Sequence, residues 1–313
     1  MVLVAGSANL DFVVRAAHIP APGETVMGHS VQSFAGGKGA NQAVASARAG
    51  GVRTEMVLAL GRDSHADFLK TSLQSAGVGL HLHESAKQTT GTAFICVADN
   101  AENAITVAPG ANNDLQVQHL PSLAGFSHLL MQLETPLPTV TACAAAAKAA
   151  GLTVVLNAAP AYPLAPELLA LVDILIVNEG ELRSLAPGAG SVAQAMQALP
   201  CAAVIVTLGA QGSAARFGEQ WFFQPGFAVQ ALDTTGAGDT FCGMLVAQLS
   251  QGLPPAQALQ RANAAAALAC TAMSAQASIP TQAAVAAFLQ SLGPEDLAAV
   301  TLLRDACHLP PHE

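Results

Sequence analysis

The stretch Asp233-Thr-Thr-Gly-Ala-Gly-Asp-Thr-Phe241 joins a strand-like run, Phe227–Leu232, to an apolar helix-like run, Phe241–Leu249. Glycines at a helix start leave backbone N–H groups accessible, and the helix dipole adds positive potential at that end. A turn of this kind binds an anion and can stabilise negative charge that develops during a reaction. The candidate donors in this turn are the backbone N–H groups of Gly236, Ala237 and Gly238.

Asp239 does not fit a phosphate-binding role, because a carboxylate repels phosphate. It fits a general base that takes a proton from a hydroxyl attacking phosphorus. Helix capping is the alternative, since Thr and Asp are ordinary residues in a first helical turn. The remainder of the chain favours the catalytic interpretation.

Composition excludes several classes of protein. The chain has 313 residues, of which 52% are hydrophobic and 11% charged, so it can form a large core. A net charge of −9 argues against nucleic acid as a partner. No uninterrupted apolar run is long enough to cross a membrane, and no basic segment typical of a signal peptide precedes the first apolar run. The six cysteines form no Cys-x-x-Cys pair, and we expect reduced thiols in a cytoplasmic protein.

Short apolar runs alternate with helical patterns, which indicates an α/β fold with a mostly parallel central sheet covered on both faces. The expected core strands are Val2–Ala5, Glu55–Leu60, His128–Leu133, Thr153–Leu156, Ile174–Val177 and Ala203–Leu208. The expected helices are Ala40–Ala49, Asp63–Ala76, Leu137–Ala150, Pro166–Leu171, Val192–Leu199, Ala256–Ala272 and Gln282–Leu292. We expect residues 1–313 to form one domain, because no linker-like segment interrupts the pattern.

Two segments depart from this alternation. Residues 11–34 and 89–107 contain turn and strand patterns with no helix between the strands. We expect them to form a small β-sheet inserted in the main fold and lying over the active face. A lid of this kind would exclude water, which a kinase must do to avoid hydrolysing its phosphoryl donor.

A second glycine cluster, Phe34-Ala-Gly-Gly-Lys-Gly-Ala-Asn-Gln-Ala43, lies directly before a helical pattern. It matches neither a Walker A loop nor a dinucleotide-binding fingerprint, which argues against a dinucleotide-dependent oxidoreductase. Together with residues 233–241, it resembles the two signatures of the PfkB carbohydrate kinase family. Further matching motifs occur in the family's order along nearly the whole chain: Gly6–Asp11, Pro22–Val26, Ala108–Asn112, Met131–Glu134, Asn157–Pro160, Asn178–Glu181 and Thr207–Gly209.

The resemblance implies a three-layer αβα fold with a β-sheet lid. It also implies ATP as donor, D-ribose as the acceptor phosphorylated at its 5-hydroxyl, Mg²⁺, and activation by a monovalent cation, with K⁺ expected. The implied sugar-binding residues are Asn9, Asp11, Gly37, Lys38, Asn41 and Glu134. The implied ATP-binding residues are Asn178, Thr207, Gly209, Gly212, Gly238 and Asn263, with Glu181 holding Mg²⁺ through water. The implied ligands of the monovalent cation are Asp233, Thr235, Ala269, Ala272, Ser274 and Ser278.

The residue types suit these roles. Asp11 is an acceptor-only group that can take two neighbouring sugar hydroxyls. The expected cation loop departs from the family pattern, because Ala272-Met273-Ser274 replaces basic residues and a glycine. A serine at a position that requires positive φ would be strained, which bears on cation affinity.

Several alternatives stay open from the sequence. The acceptor could instead be deoxyribose, a ketohexose or a nucleoside, depending on a lid pocket near Ala93, Ile95 and Ile105. A non-catalytic sugar- or nucleotide-binding regulator would also fit the scaffold. The family resemblance further implies a homodimer formed through the lid. His81 and His83 could be metal ligands on one strand face, although a solvated strand accounts for them better.

Overall fold

The structure, a computed structural model, describes residues 1–100, 102–293 and 297–307. Its strands are β1 (Val2–Ala5), β2 (Asn9–Ala16), β3 (Ser30–Gly36), β4 (Thr54–Leu60), β5 (Val78–Glu84), β6 (Gly91–Ala98), β7 (Asn103–Ala108), β8 (His128–Met131), β9 (Thr153–Asn157), β10 (Ile174–Asn178), β11 (Ala203–Thr207), β12 (Gly212–Phe217) and β13 (Gln220–Pro225). Its helices are α1 (Lys38–Val44), α2 (Ser64–Ser75), α3 (Leu137–Ala149), α4 (Pro166–Leu169), α5 (Glu179–Leu185), α6 (Val192–Ala198), α7 (Ala237–Ser250), α8 (Pro255–Ala269), α9 (Gln282–Ser291) and α10 (Leu297–Ala306).

The central sheet has the strand order β13-β12-β11-β10-β9-β8-β1-β4-β5. All neighbours from β11 to β5 pair in parallel, whereas β12 and β13 are antiparallel and form one edge. Parallel strands buried on both faces consist of continuous apolar residues, as in Ile174–Val177. The expected mostly parallel sheet is confirmed.

Helices cover both faces of this sheet. Alternate residues of β1 point to opposite sides, so Val2 and Val4 pack in one buried cluster and Leu3 and Ala5 in another. The first cluster includes residues of α1, α2, α7, α8 and α9, and the second includes residues of α3, α4, α5, α6 and α10. The three-layer αβα architecture is therefore confirmed.

A second sheet has the order β3-β2-β6-β7, with β2 and β6 parallel and the outer pairs antiparallel. We call this four-stranded sheet the lid. Its strands lie in or next to the two segments expected to form it. On the lid face opposite the one that carries Asp11, Phe12 stacks on Phe94 with ring centroids 5.5 Å apart, and Phe12 also contacts the ring of His65 on α2. Phe94 is 55% exposed and Val31 66% exposed, so this outer face leaves apolar surface in water.

The structure corrects the sequence interpretation at three places. Phe227–Leu232 was expected to be a strand but is irregular, because the hairpin of β12 and β13 occupies that edge of the sheet. This hairpin and the edge strand β5 were missing from the expected core strands. β5 and β13 are largely half-buried, and β12 is mostly buried but contains Gly, Ser and Arg, so none of the three has the continuous apolar run of an inner strand.

The two histidines of β5 have protein partners. Nε2 of His81 lies 2.6 Å from Oε2 of Glu55 on the neighbouring strand, and the ring of His83 stacks on that of His119. The six cysteines are free thiols, and four of them are buried. Within the described ranges, the helices are too short or too polar to cross a membrane.

Candidate active site

The site forms where the first turns of α1 and α7 meet. The residue before each helix is a glycine with positive φ: Gly37 at +88° and Gly236 at +76°. A Cβ on Gly37 would lie 2.7 Å from the Ala8 Cα, so both the φ angle and the space require glycine. The two helices also touch through Gly243, where a Cβ would lie 2.3 Å from the carbonyl oxygen of Gln42.

This contact places Asp239 of α7 against two consecutive amides of α1. The carboxylate is 8% exposed. Its Oδ2 accepts a 2.9 Å hydrogen bond from Nδ2 of Asn41, and its Oδ1 accepts a 2.9 Å bond from Nε2 of Gln42. Asp239 is therefore held by two side chains, and it lines a cavity where a reacting group can reach it.

Asp11 of the lid is close enough to Asp239 for the charge of Asp239 to act on it. Asp11 of β2 lines a cavity of about 440 Å³ together with Val13, Ile95 and Ile105 of the lid's inner face. Ala93, the third residue expected in the lid pocket, is buried. Gly36 makes room for the acid, because a Cβ there would lie 2.0 Å from Oδ2 of Asp11.

Asp11 is buried near two other acidic side chains, which changes its pKa. Burial, with Glu134 and Asp239 nearby, raises the pKa of Asp11 from 3.8 to about 7. A carboxyl group in this state is poised to accept hydroxyl donors, since hydrogen bonds from a ligand would stabilise its ionised form.

Two of the other expected sugar residues lie near Asp11: Asn9 precedes it by two positions on β2, and Glu134 is close enough to raise its pKa. Oδ1 of Asn9 accepts a 2.8 Å bond from Nδ2 of Asn112, so Asn112 fixes the orientation of that amide. Oε2 of Glu134 accepts bonds from Oγ of Ser7 and from the backbone N–H of Lys38, at 2.6 and 3.0 Å. Ser7 and Asn112 were not among the expected site residues, although both lie within motifs that matched the family.

Asn41 has one buried atom that lacks a partner. Because an ionised Asp239 can only accept, Asn41 must present its NH₂ group to the carboxylate. Among the described residues, Oδ1 of Asn41 is one of three buried side-chain polar atoms without a hydrogen-bond partner. Such an atom is costly unless a ligand supplies a donor.

Asp239 lines a cavity of about 150 Å³, which also includes Lys38, Asn178, Glu181 and Thr207. Lys38 was expected in the sugar site, yet its side chain lines this second cavity and only its backbone bonds to Glu134. The charge of Asp239 raises the pKa of Lys38, with Glu134 and Glu181 adding to the effect. A lysine beside this turn supplies positive charge where phosphate would lie.

Asn178 and Glu181 form a capping box at the start of α5. Oδ1 of Asn178 accepts from the N–H of Glu181, and Oε2 of Glu181 accepts from the N–H of Asn178, both at 2.8 Å. Burial raises the pKa of Glu181 above its ordinary value. A carboxylate in a cavity with room for phosphate oxygens and water matches the usual surroundings of Mg²⁺ in proteins.

A larger cavity of about 510 Å³ continues from Thr207 past Gly238 and contains Gly209, Gly212 and Asn263. Asn263 is buried rather than solvent-facing, and its Nδ2 donates to Oγ of Ser213 at 2.7 Å. The irregular segment from Phe227 to Leu232 supplies part of the wall. The cavity is mainly apolar, as a site for a flat heterocyclic base would be.

The N–H of Ala237 was expected to donate to a bound anion, but it has a partner within the protein. It donates to the carbonyl oxygen of Thr234 at 3.2 Å and so closes the turn before α7. Gly236 and Gly238, by contrast, line the small cavity beside Asp239. We therefore assign the anion-facing positions of this turn to the two glycines.

The expected cation loop is held together by Asp233. Its Oδ1 accepts from the N–H of Thr235 at 2.9 Å, and its Oδ2 accepts from the N–H of Ser274 at 3.1 Å. Burial alone would raise the pKa of Asp233, but these bonds and the nearby Arg15 lower it. Ser274 has a φ of +79°, and it is the one non-glycine residue with positive φ in the described part of the chain.

The remaining expected ligands lie along the same stretch of chain. Ala269 ends α8, Ala272 follows it, and Oγ of buried Ser278 donates to the carbonyl oxygen of Ala275. The bond between Asp233 and Ser274 joins this stretch to the turn that precedes α7.

The chain is similar to known proteins in both sequence and fold. A family model described as pfkB family carbohydrate kinase matches residues 1–282. The chain is 40% identical over 302 residues to a ribokinase of Haemophilus influenzae, covering 92% of this chain and 97% of that protein. A ribokinase structure from Thermotoga maritima superposes with a TM-score of 0.86 at 34% identity, covering 93% of this chain and 99% of that one. An Arabidopsis thaliana ribokinase complexed with ribose and ATP gives a TM-score of 0.85 at 32% identity, covering 92% and 98%.

The raised pKa of Asp11 predicts a pH-dependent effect on stability. Between about pH 4 and pH 7 the unfolded chain releases this proton while the folded protein retains it, so stability falls as pH rises through that window. Asp11→Asn removes this penalty. Its melting temperature should exceed that of the wild type at pH 8, and the difference should shrink at pH 4.

The control is Asp67→Asn, because Asp67 is 77% exposed and lies outside the site. Its melting temperature relative to the wild type should change little between the two pH values. An Asp11→Asn variant that is no more stable than the wild type at pH 8 would contradict the prediction.

Proposed function

The chain belongs to the pfkB family of carbohydrate kinases, and we propose that it transfers the terminal phosphoryl group of ATP to the 5-hydroxyl of D-ribose, giving D-ribose 5-phosphate and ADP. The observation that carries this proposal is the position of Asp239. Asp239 lines the cavity that contains Lys38 and the glycine turn, and it is close enough to Asp11 of the lid for its charge to help raise the pKa of Asp11. The ribokinases of H. influenzae and A. thaliana support ribose as the acceptor and ATP as the donor.

In the sugar cavity, Asp11 would accept two vicinal hydroxyls, with Asn9 and Gly37 forming the adjacent wall. The unpaired Oδ1 of Asn41 would accept a further sugar hydroxyl. Glu134 anchors the start of α1 through the N–H of Lys38, which ties the sugar cavity to the phosphate cavity.

For the transfer, Asp239 would take the proton of the 5-hydroxyl as its oxygen attacks the terminal phosphorus. The bond to the bridging oxygen of ADP breaks in the same displacement. Lys38 and the N–H groups of Gly236 and Gly238 would stabilise charge on the transferring group. Thr207, Gly209, Gly212, Asn263 and Asn178 would hold the nucleotide. Mg²⁺, held through water by Glu181, would neutralise phosphate charge when bound.

Asp239→Asn should abolish most turnover while preserving the fold. Loss of a general base typically lowers the rate by about 10²–10⁴. The new amide can be accommodated, because Asn41 can rotate and offer its unpaired Oδ1 to the new NH₂ group. The measurement is kcat from ADP release, with the melting temperature and ribose affinity measured alongside. A variant with near wild-type kcat would exclude Asp239 as the base.

Sugar selectivity should depend on Asp11. A buried acceptor left without its donor costs about 1–3 kcal/mol, so kcat/KM at pH 8 should favour ribose over 2-deoxyribose by at least about tenfold. Asp11→Asn should reduce that ratio, because the amide is a weaker acceptor. Equal kcat/KM for both sugars in the wild type would instead favour a deoxyribokinase.

We also propose that K⁺ binds the loop formed by residues 233–235 and 269–278 and activates the enzyme. Ser274→Gly should relieve a left-handed conformation that costs about 1–2 kcal/mol for a residue with a side chain. The K⁺ concentration for half-maximal activity should fall in this variant. Choline chloride at equal ionic strength is the control, and wild-type activity that is the same in K⁺ and choline would refute a cation site.

A homodimer through the outer face of the lid is the proposed assembly. Exposed Val31 and Phe94 would be covered by a second copy. Sedimentation at micromolar concentration should show a dimer for the wild type and dissociation for Phe94→Lys. Leu302→Lys is a matched control, because Leu302 is 70% exposed on α10, away from the lid. A monomeric wild type would contradict the proposal.

A further inference from the structure

Gln42 is the second of the two α1 side chains that hold Asp239, and the function proposed above gives it no role. It is fully buried, so it does not contact a ligand in either of the cavities beside Asp239. Its Nε2 donates to Oδ1 of Asp239 and also to Oδ1 of Asn157, both at 2.9 Å. Its Oε1 accepts from Nε2 of Gln132 at 2.6 Å.

The carboxylate of Asp239 can only accept hydrogen bonds. It therefore determines which end of each linked amide, first Gln42 and then Gln132, faces its neighbour. An ionised Asp239 requires the NH₂ group of Gln42, which leaves Oε1 of Gln42 facing Gln132. Gln132 must then present its own NH₂ group, and its Oε1 remains without a partner. That oxygen lies against Gly6, where a Cβ would be 2.1 Å away.

The far ends of the chain of amides are fixed to the central sheet. Gln132 directly follows β8, and Nδ2 of Asn157, the last residue of β9, donates to the carbonyl oxygen of Ile176 on β10. The amide of Gln42 therefore links a carboxylate on the largely buried helix α7 to the carboxyl ends of buried strands. Groups held in such a network are fixed in one rotamer.

We propose that Gln42 is a positioning residue for the general base, and that Gln132 supports it from the strand end. Gln42 fixes the carboxylate plane of Asp239 so that its remaining lone pairs face the sugar hydroxyl. This inference rests on the proposed role of Asp239. It predicts an effect on turnover rather than on substrate binding, because the residue acts through Asp239 alone.

The test is Gln42→Met, which keeps the side-chain length and removes both donors. We expect kcat to fall by about tenfold to a hundredfold, while KM for ribose and for ATP changes by less than about threefold. Gln132→Met should give a smaller loss of kcat in the same direction, and it keeps the test valid if Gln42→Met does not fold.

The matched control is Gln248→Met. Gln248 is also fully buried and lies on α7, but its amide bonds to the carbonyl oxygen of Gly50 and to Arg261. This variant should lose stability without losing kcat. A kcat loss in Gln248→Met equal to that in Gln42→Met would show that the effect is structural and overturn the proposal.

A double-mutant cycle separates this inference from the assignment of Asp239. In an Asp239→Asn background, Gln42→Met should lower the residual kcat by less than about twofold, because the group it positions is gone. An equal fold-loss in both backgrounds would overturn the positioning role. Wild-type kcat in Asp239→Asn alone would instead overturn the base assignment.

Discussion

The site depends on the close approach of α1 and α7. Gly243 allows the backbone of one helix to lie directly against the other, and a single Cβ at this point would collide with the carbonyl oxygen of Gln42. Only at this separation can two short amide side chains reach the carboxylate of Asp239. The charge arrangement of the site therefore depends on the close packing of small residues where α1 and α7 meet.

The same closeness concentrates charge of both signs. Burial, with Glu134 and Asp239 nearby, raises the pKa of Asp11, and the charge of Asp239 raises the pKa of Lys38. Close grouping of these charges lowers the stability of the folded protein. It suits a reaction in which a proton and a phosphoryl group are both transferred, because the neighbouring charges shift pKa values. Packing of α1 and α7 in the buried core offsets this loss of stability.

Much of this could be predicted from the sequence. The inner strands and the two glycine turns have strong local signals, since a continuous apolar run is typical of a buried strand and a glycine pair directly before a helix is typical of a tight turn. The hairpin of β12 and β13 was missed because its strands lie at an edge and have only short apolar runs, interrupted by Gly, Ser and Arg in β12 and by glutamines in β13. The prediction of a strand at Phe227–Leu232 was wrong, because an apolar run can line a cavity as well as join a sheet. Gln42 could not be identified, because a buried glutamine on a helix has no local signal, and its partners Asn157 and Asp239 lie more than a hundred positions away.

The location of Asp11 would couple sugar binding to the position of the lid. The acid belongs to β2, a strand of the lid, and only Gly6, Ser7 and Ala8 separate that strand from β1 of the central sheet. Any displacement of the lid would therefore carry Asp11, the proposed sugar acceptor, with it. Sugar bound through Asp11 would favour only the lid positions in which the carboxyl group reaches its hydroxyls, so under the proposed function sugar affinity would depend on the position of the lid.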